Sequence, residues 1–118
     1  MDYSFAQRGP YFEIRAIGRL TKAEVLDFWD VMERQPGYAE ARGMIVVLHA
    51  LWWEMNKQEV EELATMGERF RPVRWAFITQ EDLSFGLVEA FTSALRGPAM
   101  MRVFKDESEA VAWLSADP

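Results

Sequence analysis

The sequence predicts an α/β domain: a mixed sheet of about five strands and about four helices, antiparallel at its N-terminal edge and parallel beyond it. Three observations carry that prediction. Strand-like and helix-like apolar patterns alternate along almost the whole of the 118-residue chain. Thr21, Asn56 and Asp106 each stand three residues before a glutamate, Glu24, Glu59 and Glu109, at the head of a helical stripe, which is the spacing of a capping box. Met44 to Leu48 is an unbroken apolar run, too uniform for a sheet with a wet side and therefore read as a buried parallel strand.

Taken in order, Tyr3 to Gln7 and Tyr11 to Arg19 flank a Gly9-Pro10 turn signal and read as a β-hairpin. In its second strand Phe12, Ile14 and Ala16 share one face, with Glu13 and Arg15 on the other. The first helix opens at Thr21, buries Val25, Phe28, Trp29 and Met32, and stops at Pro36-Gly37. Strand Met44 to Leu48 follows, then a loop from His49 to Met55. The second helix opens at Asn56, presents Val60, Leu63, Ala64 and Gly67 on one face, and is stopped by Pro72. Val73 to Thr79 is the next strand. The third helix starts near Asp82, buries Leu87, Val88, Phe91 and Leu95, and ends at Gly97-Pro98. Met100 to Phe104 is the last strand, and a short helix from Asp106 buries Ala110, Trp113 and Leu114. Strands joined through single helices need crossovers, which are right-handed in nearly all proteins and make the strands parallel. No linker or repeat interrupts the series, so residues 1–118 read as one domain.

Composition narrows the function classes. No cysteine is present, which removes disulfides, thiolate metal sites and thiol nucleophiles together. A net charge of −6 and scattered basic residues argue against nucleic acid as a partner. No apolar run approaches a transmembrane span and the opening residues do not resemble a signal peptide, so a cytoplasmic protein is expected.

The order hairpin, helix, strand, helix, strand, helix, strand, helix resembles the STAS architecture of anti-sigma-factor antagonists. More closely, it is similar to the SpoIIAA-like family of small standalone bacterial proteins. The phrases that carry the likeness are Ile17-Gly18-Arg19-Leu20-Thr21 entering the first helix and Asp82-Leu83-Ser84-Phe85-Gly86 opening the third. The ending Arg102-Val103-Phe104-Lys105-Asp106 with Glu109-Ala110-Val111-Ala112-Trp113-Leu114 adds to them. The resemblance implies a STAS/SpoIIAA-like fold and little chemistry. It also implies a serine or threonine after the central strand as a phosphorylation switch in signalling members. The matching stretch here, His49 to Asn56, has no hydroxyl, and Glu54 and Glu59 beside it would oppose a phosphate. The switch is expected to be absent.

Ligands of open α/β sheets bind beyond the carboxyl ends of the strands. That rule selects His49, Trp52, Trp53, Met55, Thr79, Gln80, Ser84 and Phe85 as the rim of a mainly apolar cleft. His49 is the one imidazole, but spacing supplies it neither a nucleophile nor an orienting acid, so a strand-end histidine bonded to backbone is the simpler reading. Glu81, Asp82 and Asp106 are accounted for by capping and the helix dipole, and no metal or other cofactor is expected. Arg69, Arg71 and Arg74, near the end of the second helix, read as a solvated surface favoured by that dipole. Trp52-Trp53 is the strongest hint, because neighbouring side chains on one backbone cannot both face one core. The expectation is a non-enzymatic module without catalytic residues that binds a protein partner or its own copy, as a homodimer, through the Trp52-Trp53 rim. The alternative is a carrier or sensor of a small apolar, lipid-like ligand, suggested by the methionine and aromatic supply and by the likeness of STAS folds to lipid-transfer folds.

Overall fold

The computed structural model describes residues 1–117. Its elements are β1 (Asp2–Arg8), β2 (Tyr11–Leu20), α1 (Lys22–Glu33), β3 (Gly43–Trp53), α2 (Lys57–Ala64), a 3₁₀ turn (Gly67–Arg69), β4 (Arg74–Ile78), α3 (Asp82–Ala94), β5 (Met100–Phe104) and α4 (Glu107–Ser115). The five strands lie in chain order, β1-β2-β3-β4-β5. β1 and β2 pair antiparallel, and the remaining neighbours are parallel, with Gly43 to Val47 of β3 opposite Arg74 to Ile78 of β4. The expected fold class is therefore present.

Strand order decides where the helices go. Each crossover steps one strand in the same direction, so right-handed connections put α1, α2 and α3 on one face. Against them β2 and β3 turn Phe12, Ile14, Met44 and Val46, which join Val25, Phe28, Trp29, Met32, Val60, Leu63 and Phe91 in the main core. The fourth helix follows the last strand and crosses to the opposite face. There Ala110 and Leu114 cover Ile45, Ala76, Ile78 and Phe104 in a smaller core. Because α4 is short and packs on β4 and β5, the opposite face of β1 and β2 stays open, and Ile17 on β2 is 44% exposed.

Helix starts follow the capping chemistry unequally. Asn56 makes the full reciprocal box with Glu59. Thr21 Oγ1 accepts from the Glu24 amide at 3.2 Å, but the Glu24 carboxylate turns to the Met1 amino group at 2.9 Å instead of back to the cap. Asp106 Oδ1 accepts from the amides of Ser108 and Glu109 without a return bond. The Ser108 hydroxyl donates to the same oxygen, and this bond first, with the two amides after it, holds the Asp106 carboxyl below its ordinary range.

Boundaries differ from the sequence reading by more than a single residue in β3, α2 and α3. β3 runs through Trp53, where a loop is expected after Leu48. A bulge absorbs the irregularity: Ile17 pairs with His49 and Gly18 with Leu51, leaving Ala50 between them at φ 47°. The second helix stops at Ala64, so Gly67 belongs to the 3₁₀ turn and not to an α-helical face. Its role is close approach, since a Cβ on Gly67 would lie 1.5 Å from the Arg96 carbonyl oxygen. The third helix ends at Ala94, short of Gly97-Pro98.

The arginines expected on a solvated surface are structural clamps. Arg69 donates to Glu33 at 2.6 Å and Asp30 at 2.8 Å and lies over the Trp29 ring, fastening the 3₁₀ turn to α1. The Arg71 guanidinium donates to the carbonyls of Tyr38 and Ala41, in the connection before β3. Arg74 donates to the carbonyls of Trp113 and Ala116, capping the end of α4. All three satisfy acceptors that the chain itself supplies.

Candidate functional site

The eight residues expected on one rim are divided by the sheet. Strand β3 continues past the bulge, so its side chains alternate: Leu51 and Trp53 face the main core, Trp52 the open face. Trp52 is 73% exposed. It pairs with Arg19, whose guanidinium holds Glu54 at 2.8 Å. His49 is exposed within β3, not at its end, and its side chain makes no hydrogen bond among the described residues, so the backbone-bonded reading does not hold. With Asp2, Ser4, Arg15, Ile17 and Val47 it lines a shallow groove on the open face.

The other six do not line that groove. Trp53 is half-buried and its indole Nε1 donates to Ser84 Oγ at 2.7 Å, joining the end of β3 to the first turn of α3. Ser84 is fully buried, so the bond satisfies both polar groups. Met55 is buried and packs into the main core. Thr79 is buried at the end of β4, and its hydroxyl has no partner. Gln80 is exposed. Phe85 is half-buried with the Lys105 ammonium 5.4 Å from its ring centre. The same ammonium donates to Asp82 at 2.6 Å and lowers that carboxyl's pKa.

Trp53 and Met55 also line a cavity of about 100 Å³ between the sheet and α1, α2 and α3. Its walls are apolar side chains: Ile14, Ala16 and Val46 from the sheet and Phe28, Leu63 and Phe91 from the helices are among them. Met1, Met32, Met55 and Met101 line it as well, four of the seven methionines in the chain. Sequence reasoning placed Phe28, Met32, Leu63 and Phe91 in solid core. The methionine supply was the readable signal, because an unbranched thioether suits irregular, adaptable walls. Ile17 was also legible, since it continues the alternation that puts Glu13 and Arg15 on the open face.

No group of three His, Asp or Glu side chains is placed to hold a metal ion among the described residues, and no described helix is long and apolar enough to cross a membrane.

Residues 11–115 match the family described as SpoIIAA-like. Among solved structures the chain is similar to an uncharacterized protein with a SpoIIAA-like fold from Shewanella loihica PV-4. The TM-score is 0.54 at 18% identity, covering 96% of this chain and 92% of that one. At that identity the likeness concerns the fold alone. No curated protein matches. The family match runs from the first residue of β2 to the last of α4, taking in every parallel strand, each crossover and both faces of the sheet, and the chain belongs to the SpoIIAA-like family.

Proposed function

We propose that this chain is a non-enzymatic binding module that takes up a small apolar molecule between its sheet and α1, α2 and α3. The cavity is the observation that carries the reading. A pocket of about 100 Å³ walled by apolar side chains of sheet and helices presents surface whose burial against an apolar molecule is favourable by about 25 cal/mol per Å². Water is a poor occupant of an apolar void, whereas an apolar molecule regains the lost dispersion contacts. The size is about two thirds of the roughly 150 Å³ cavity that accepts benzene, so a compact ring or the end of an acyl chain is the matching class.

Native mass spectrometry of protein purified without detergent tests this reading. A reproducible small adduct, lost from Ala16→Val, supports it. Ala16 lies in the cavity wall, and its enlargement should raise stability by about 0.5–2 kcal/mol as the void fills. A bare mass, together with no stabilisation by benzene, counts against uptake.

A second reading, docking of a protein partner on the open face, has its support in the exposure of Trp52 and Ile17. Trp52→Glu separates the two readings: it should abolish docking and leave uptake of an apolar probe unchanged. Neither reading uses a phosphorylation switch in residues 49–56, which hold no serine or threonine.

A further inference from the structure

The sheet has two edge strands, β1 and β5, and among the described residues β1 has neither a bulge nor a strand covering its outer side. The strand is in unbroken register with β2 from Asp2 to Arg8, without a bulge, and contains neither proline nor lysine. Six of its seven residues are exposed, and its outer N–H and C=O groups have no strand beyond them. Natural sheets usually blunt such an edge with a bulge, a proline, a lysine or a covering loop. An unblunted edge is a template for another strand.

We propose that the occupant is β1 of a second copy, paired antiparallel about a two-fold axis through Phe5. Geometry limits the registers. Along an edge strand only alternate residues direct their backbone groups outward, so the numbers of two residues placed opposite must add to an even value. Among the permitted registers, the sum of ten pairs all seven residues. It sets Asp2 opposite Arg8 of the second copy, Tyr3 opposite Gln7, Ser4 opposite Ala6 and Phe5 opposite itself. Opposite charges therefore meet at both ends of the ladder, where such pairs favour pairing. Shifting by one permitted step in either direction loses both pairs.

The two charged groups are available. Asp2 has no hydrogen bond or ion pair among the described residues and is exposed. Arg8 contacts Glu13 and Glu107 through Nη1 alone, leaving Nη2 to donate across the axis. The two sheets then continue into one, in an isologous contact. A single strand pair buries less than the roughly 1,200–2,000 Å² of a standard stable interface, so the dimer is a weak one that forms in the micromolar to millimolar range.

Sedimentation equilibrium over that range tests the proposal with Asp2→Arg, Arg8→Asp and the double variant. Each single reversal sets like charges opposite at both ends and should weaken self-association by roughly tenfold or more. The double variant should restore it, and so should an equimolar mixture of the two single variants. Wild-type protein that stays monomeric at millimolar concentration overturns the proposal, as does Asp2→Arg that associates like wild type. If Arg8→Asp does not fold, hydrogen exchange of the wild type decides: β1 amide protection should rise with concentration, and constant protection overturns the proposal.

Discussion

Trp52 and Trp53 are neighbours in the chain and answer to different physics. Trp53 joins β3 to α3 through Ser84 and walls the cavity, so Trp53→Ala loses packing, a hydrogen bond and part of that wall. The expected cost is about 2–3 kcal/mol, below the roughly 3–5 kcal/mol of a fully buried aromatic because the ring is half-buried. Trp52→Ala should change stability by less than about 0.5 kcal/mol, as exposed positions usually do. Chemical denaturation checks both, and equal losses would contradict the strand assignment of this pair. That the two must part was legible from adjacency; which one turns inward was not, because it depends on the bulge at Ala50.

A second residue-scale prediction concerns Tyr38, buried with its hydroxyl unpartnered. Burial raises its pKa, with the charge of Glu33 adding to the effect. Tyr38→Phe should be neutral or stabilising by up to about 1 kcal/mol, since a lone buried hydroxyl has lost water without gaining a partner. The sign of the pH effect follows from the raised pKa. The neutral form is favoured in the folded state, so this contribution is intact below the unfolded value of about 10 and is lost as pH rises through the folded value. Alkaline titration of stability should therefore be shallower for Tyr38→Phe, and an unchanged slope would count against burial of the phenol.

At the scale of elements, local chemistry made the helix starts readable and left the ends less so. Caps at Thr21, Asn56 and Asp106 depend on residues a few positions apart, and each appears where spacing places it. Ends depend on what the chain meets next. Gly67 fits a helical stripe by period, yet the backbone leaves the helix there to pass the Arg96 carbonyl. Gly67→Ala should consequently cost about 3 kcal/mol or more, because backbone on both sides must move. A thermal midpoint unchanged by that substitution would contradict the close approach between this turn and the end of α3. Strand β3 shows the same limit: its extension rests on pairing with β2, a contact between residues about thirty positions apart that local propensity does not register.

At the scale of the molecule, strand order determines where the cavity lies. Three crossovers stepping one way gather α1, α2 and α3 over one face, while the short α4 leaves half of the other uncovered. The strand-end rule led to Trp53 and Met55 in the wall, but it grouped them with His49 and Trp52, which lie across the sheet. The cavity itself was not legible, because a stripe of apolar residues reads the same whether the space it encloses is filled or empty.

Methionine methyl NMR during titration with benzene tests the central claim most directly, since the seven methyl groups sample both classes of position. The account predicts shifts for Met1, Met32, Met55 and Met101, which line the cavity, and none for Met44, Met66 and Met100, which do not. Unchanged cavity methyls at saturating benzene, or equal shifts at all seven positions, would contradict an apolar binding site between the sheet and its three crossover helices.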